Sequence, residues 1–152
     1  MQGAAAAWCA APLAVAGAVP AGVAPGAAGA VISAGIWRKA IEVPGSSALN
    51  KGGNADVNSV SCASAGNCAA VGFYRDGSGR GQVFVVSERE GHWRKAIEVP
   101  GSGALNQGAN QSAGAQAVSV SCASAGNCAA VGFYRDGSGR QQAFVVSERE
   151  GH

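Results

Sequence analysis

An all-β chain made of two near-identical units is what this sequence predicts, and three observations predict it. The stretch "SVSCASAGNCAAVGFYRDGSGR" stands at Ser59 to Arg80 and again, without one change, at Ser119 to Arg140. Short alternating apolar runs bounded by Gly, Asn and Ser clusters fill each unit, and no segment keeps a helical period. Cysteines come in pairs at one spacing, Cys62 with Cys68 and Cys122 with Cys128.

The duplication reaches beyond the quoted block. "WRKAIEVPGS" begins at Trp37 and at Trp93, and "FVVSEREGH" ends at His92 and at His152, which defines β repeats at 37–92 and 93–152. Forty-eight of 56 alignable positions are identical. The second unit carries four extra residues within "QGANQSAGAQA", a polar, Gly-containing stretch of the kind that absorbs insertion in a loop. Periods of this length mark propellers, solenoids or arrays.

Each unit reads as four short strands. In the second, Trp93 to Val99 alternates, with Trp93, Ile97 and Val99 on one face and Arg94 and Glu98 on the other. A long loop leads to a strand near Val118 to Cys122. "SAGN" makes a tight connection, because Gly126 and Asn127 tolerate positive φ. The strand Cys128 to Tyr134 puts Ala129, Val131 and Phe133 on one face and Cys128, Ala130, Gly132 and Tyr134 on the other. "RDGSGR" is a hairpin loop, and "AFVVSERE" is the fourth strand. The first unit repeats the order, starting with a strand at Trp37 to Val43.

Residues 1–36 differ from the rest. They carry no charge and consist mainly of Ala, Gly, Val and Pro, so the segment resembles a secretory leader without the usual basic start. Ala14-Val15-Ala16 suits a signal peptidase, while a flexible low-complexity linker fits the same composition. Pro12, Pro20 and Pro25 interrupt it, and a membrane span needs about 20 unbroken apolar residues, so no span is expected. The net charge of +2 is too balanced to point to nucleic acid. Arg38-Lys39 and Arg94-Lys95 are offset by Glu42 and Glu98.

The paired cysteines enclose five residues, wider than the usual zinc spacing, and no further ligand follows. Local disulfides closing two hairpins are expected, which places the protein in an oxidising, extracellular compartment. Cys9 would leave with the leader. No metal or other cofactor is expected.

Four antiparallel strands per unit is the organisation of a β-propeller blade. "SEREGHW", Ser87 to Trp93, resembles a degenerate Asp-box of sialidase-type propellers. Ser87, Gly91 and Trp93 match that motif, Arg89 stands at its Asp position, and the Gly-to-Trp spacing is one residue short. The whole unit is similar to tandem repeats of secreted actinobacterial proteins that share the S-C…G-N-C core. The resemblance implies two propeller-blade-like repeats and no particular activity. A blade's "FVVSERE" strand is followed by a Trp strand, yet Trp37 has no such predecessor and Glu150 no such successor. Three outcomes are open: several copies complete a propeller ring, the chain is a fragment of a longer array, or the strands form a two-sheet β-sandwich.

Candidate ligand contacts are Tyr74, Arg75 and Asp76 with their copies Tyr134, Arg135 and Asp136, each set beside a hairpin loop. A ring, a guanidinium and a carboxylate together suit a surface glycan. An anchored loop with two solvated charges explains the same residues. Trp93, like Trp37, suits sugar stacking or inter-blade packing. Asp76-Gly77-Ser78-Gly79 has one carboxylate, too few for calcium. Glu88 with Glu90, and Glu148 with Glu150, have a spacing compatible with paired-carboxylate hydrolysis but also with a solvated edge. His92 and His152 lack an orienting partner.

The leading expectation is a secreted binding or structural module, with multivalent glycan binding where it has a ligand. The alternative from another class is a truncated sialidase-like hydrolase that uses the Glu pairs, or Tyr74 with Arg75 or Arg80.

Overall fold

The computed structural model describes residues 35–108 and 114–151. The leader-like segment up to residue 34, with Cys9, lies outside them, as does His152. The two repeats fold as one unit that begins at Arg38.

Within each repeat the local chemistry makes a three-stranded meander. In the first, β1 (Ala55–Ser64), β2 (Asn67–Arg75) and β3 (Gly81–Arg89) pair antiparallel in that order. Gly66 takes a φ of 73° in the turn between β1 and β2, where a side chain would be strained. Cys62 and Cys68 face each other directly across that hairpin, with their Cα atoms 3.9 Å apart, and form a disulfide. Gly72 sits opposite Phe84, whose ring lies over it. A Cβ at Gly72 would meet both that ring and the carbonyl of Asp56.

The second repeat follows the same plan through β6 (Gln116–Ser124), β7 (Asn127–Arg135) and β8 (Gln141–Glu148). Cys122 and Cys128 are bridged, and Gly132 lies opposite Phe144. The fold is all-β, as the alternation predicts.

The outermost strand is where the expected pattern needs correction. Four strands per unit were predicted from within each unit. Instead the first sheet takes its outermost pairing from the second repeat, as two short pieces, β4 (His92–Trp93) and β5 (Ile97–Glu98). Trp93 pairs with Glu88, Ile97 with Val85, and Glu98 with Phe84, all on β3. The second sheet has three strands. The segment Trp37–Val43, identical in sequence to Trp93–Val99, forms no strand. The cause is pairing: Trp93–Val99 lies against the outer edge of β3, while among the described residues no sheet edge lies beside Trp37–Val43.

After the Trp segment of each repeat comes one turn of helix, α1 (Ser46–Leu49) and α2 (Ser102–Leu105). Gly45 and Gly101 start these turns at a φ of 82°. The two sheets pack face to face. One apolar cluster fills the space between them, with Val71 and Val83 from the first sheet against Val120, Ala130 and Phe144 from the second. A second cluster on the far face of the first sheet gathers Ala70, Tyr74, Phe84 and Val86, closed over by Val43, Leu49 and Trp93.

Candidate functional site at the sheet junction

The junction between the sheets is built from positions that the repeat supplies twice. β1 and β6 are its inner strands. Asn58 Nδ2 donates to the Ala117 carbonyl at 2.6 Å, and the hydroxyls of Ser59 and Ser61 accept from the amides of Val120 and Cys122 at 3.2 and 3.1 Å. At the outer side Arg89 Nη2 donates to Glu148 Oε1 at 2.7 Å, and the Ser87 hydroxyl reaches the same oxygen at 3.3 Å. The guanidinium lies over the glycine turn formed by Gly126 and Gly151, leaving no room there for a Cβ on Gly151.

Between these two seams a cleft of about 580 Å³ opens along β3, with Val71, Val85, Val120 and Val146 as apolar walls and Arg94 and Glu148 at its rim. Its size lies within the range of small-molecule sites, about 300–1,000 Å³. A smaller hollow of about 270 Å³ on the far face of the first sheet is lined by Val60, Ala70 and Val86. These are the first-repeat counterparts of Val120, Ala130 and Val146 in the junction cleft. The hollow therefore lies on the face of the first sheet equivalent to the one the second sheet turns into the junction.

Of the expected ligand contacts, Tyr74 is buried at 3% exposure. Its hydroxyl donates to Glu98 Oε2 at 2.8 Å, and burial, followed by that carboxylate, pushes its pKa well above the usual tyrosine value. Its ring presents no face for a sugar. Arg75 donates to the Gly79 carbonyl at 2.7 Å, inside its own hairpin. Asp76 closes the same loop. Burial alone would raise its pKa, but hydrogen bonds from the Gln82 and Ser78 side chains and from the Ser78 and Arg80 amides outweigh that and hold it at about 2.

The second hairpin repeats this set. Asp136 accepts from Ser138, Gln142 and Arg140, chiefly through the Ser138 hydroxyl, and its pKa lies far below the ordinary carboxylate range. Arg135 donates to the Gly139 carbonyl. Tyr134 is half-buried, its ring against the junction cluster. Trp93 is half-buried on the far face of the first sheet and lines the smaller hollow. The loop chemistry thus holds two hairpins in shape, and the structure does not gather these seven residues at one surface.

Among the described residues no three His, Cys, Asp or Glu side chains converge as metal ligands. No helix among them is long and apolar enough to cross a membrane. Glu148 is drawn into the junction ion pair with Arg89, and Glu90 and Glu150 sit at the outer turns with positive φ.

The feature that the sequence reading missed is the face left over. Ala129, Val131, Ala143 and Val145 of the second sheet occupy the positions of Ala69, Val71, Val83 and Val85 in the first. The first-sheet residues build the junction, with Val71 at 1% and Val83 at 0% exposure. In the second sheet Val131, at the position of Val71, is 41% exposed, and Val145, at the position of Val85, is 79% exposed. Identical sequence cannot signal this, because the two copies differ only in what is packed against them. In comparison with known proteins, no family model matches the chain, and neither does a curated protein or a solved structure.

Proposed function

We propose that the chain is an extracellular, non-catalytic repeat module whose role is structural or binding and is carried out by sheet-to-sheet association. The observation that carries this is Val145 at 79% exposure on β8, whose outer edge has no strand partner among the described residues, while the outer edge of its twin, β3, is paired by β4 and β5. An exposed apolar strip beside an open sheet edge marks a surface for a partner. Strand addition is the mode such an edge favours: the ladder gives affinity and alternate side chains give specificity. In this reading each sheet is a propeller-type blade, and the Ser87–Trp93 stretch is its degenerate Asp-box turn. Two disulfides fit an oxidising, extracellular setting. The polar groups expected at a glycan site are engaged within their own hairpins and core, so glycan recognition is no part of the proposal.

A labelled peptide of sequence WRKAIEVPGS, that of Trp37–Ser46, tests it. In excess over the full chain it should bind saturably and slow amide exchange across Gln141–Glu148, while a scrambled peptide does neither. Absence of both binding and protection would refute the association surface.

A further inference from the structure

We infer that the partner of this surface is a second copy of the chain, docked head to tail so that its first sheet stands on the second sheet as the second stands on the first. The inference rests on the association surface proposed above and adds the identity and register of its occupant. The strand pairing, the ion pair and the apolar volume of the inner junction each have a counterpart at the outer one.

The first is the strand. β3 is paired by the Trp93–Val99 segment, and the identical Trp37–Val43 segment has no strand partner among the described residues. By the same register Ile41 of one copy pairs with Val145 of the other and Glu42 with Phe144. Arg38 would donate to Ser147 as Arg94 donates to the Ser87 carbonyl at 2.8 Å. Glu42 would then meet the Tyr134 hydroxyl as Glu98 meets that of Tyr74. That docking releases Glu42 from its present hydrogen bonds to Ser46 and Ser47.

The second is charge. Arg89 and Glu148 pair across the inner junction. Their counterparts, Arg149 and Glu88, form no ion pair among the described residues, and docking brings one from each copy together. The platform is ready as well. Gly66 and Gly91 make the same turn as Gly126 and Gly151, Gly91 donating to the Gly66 carbonyl at 2.9 Å. Arg89 covers the turn at Gly126 and Gly151, whereas a Cβ on Gly91 would meet nothing within 4 Å.

The third is volume. The inner junction buries Val83 from the first sheet with Ala117 from the second. At the outer one the sizes exchange, Ala143 against Val57, so the number of buried methyl groups is conserved. Val57 and Val60 are 48% and 59% exposed, while Ala117 and Val120, at the same positions, are 0% and 8% exposed. The junctions differ at two points. Val118 lacks the amide with which Asn58 holds Ala117, and Gln141 meets Asn54 where Gly81 and Gly114 bring their backbones together.

A contact between unlike faces propagates until it closes. Rings of blade-like sheets hold about four to eight, so closure takes about two to four copies.

The test is light scattering on the full oxidised chain across a dilution series, with wild type, Arg149→Glu, Glu88→Arg and the double variant. The expected result is a mass of two to four chains for wild type. Each single variant should weaken association about tenfold or more, and the double variant, which restores the pair in reverse, should recover most of it. Circular dichroism confirms that each variant is folded. A monomer at every concentration overturns the inference, as does an oligomer indifferent to both single variants. A monomer that still binds the WRKAIEVPGS peptide refutes self-association while the association surface stands. A monomer that ignores the peptide refutes both.

Discussion

Val71 and Val131 occupy the same place in the same uninterrupted block of sequence, yet one is 1% exposed and the other 41%. Both lie on the middle strand of a disulfide-closed meander, and both have the same neighbours along their own sheet. What separates them is whether another sheet stands in front. The contrast teaches that local sequence specifies each meander, whereas burial is decided by the next repeat. A residue can therefore be structural in one copy and free for recognition in the other.

The sharpest way to break the comparison is to place a charge at both positions. Val71→Asp should prevent folding, because an unpaired carboxylate inside the junction costs several kcal/mol. Val131→Asp should keep the melting temperature within about 3 °C of wild type, as expected for an exposed position. Its effect should fall on association, where light scattering reads it. Equal loss of folding in both variants would show the second face to be covered within the single chain.

Next come the glycines under the phenylalanine rings. Gly72→Ala and Gly132→Ala each push a methyl group into a partner ring and a strand carbonyl. Each should cost about 1–3 kcal/mol in urea unfolding, alike in both repeats because the clash lies inside one sheet. A large difference between the two would mean that the sheets are less equivalent than their registers indicate.

The disulfides should also behave alike. Each links residues six apart, and removing one by paired Cys→Ser substitution should cost about 2 kcal/mol through the freedom returned to the unfolded chain. Cys62–Cys68 is at the same hairpin position as Cys122–Cys128, so the two losses should match in denaturant unfolding.

Acid should act more gently. Asp76 has its pKa lowered from 3.8 to about 2, so its hydrogen-bonded carboxylate stabilises the fold fully above about pH 4. That contribution fades as the pH falls through 3.8 toward 2. Asp76→Asn should flatten this part of the thermal stability profile and, after screening by solvent, cost about 1 kcal/mol at neutral pH. The smallest effect belongs to Arg89→Ala. Its ion pair with Glu148 is 30% and 22% exposed, so stability should fall by less than about 1 kcal/mol, more at low salt than at high.

Much of each meander was legible in the sequence. The alternation at Cys128 to Tyr134 separates Ala130 and Tyr134 from Ala129 and Val131, and the structure keeps them on opposite faces. Glycine at the "SAGN" turns and the cysteine spacing mark the hairpin and its bridge. The Trp segment could not be read the same way. "WRKAIEV" is extended against a neighbour at Trp93 and forms no strand at Trp37, and no local property distinguishes the two. Tyr74, Arg75 and Asp76 have the composition of a glycan site, but composition does not show that their hydrogen bonds are satisfied by Glu98, Gly79 and Gln82. Arg89 looked like a defect in an Asp-box-like turn. Its partner Glu148 lies in the other repeat, beyond the reach of any motif.

The loan of β4 and β5 to the first sheet has a further consequence. The unit that was copied, 37–92, is out of phase with the unit that folds, which draws on Trp93–Val99 as well. Cutting at the repeat boundary would strip the first sheet of its outermost pairing and would remove Glu98, the hydrogen-bond partner of Tyr74. Neighbouring repeats are therefore interlocked like overlapping tiles, and damage to one loosens the edge of the one before it. Stability in such an array travels in one direction along the chain, from each Trp segment back to the preceding sheet.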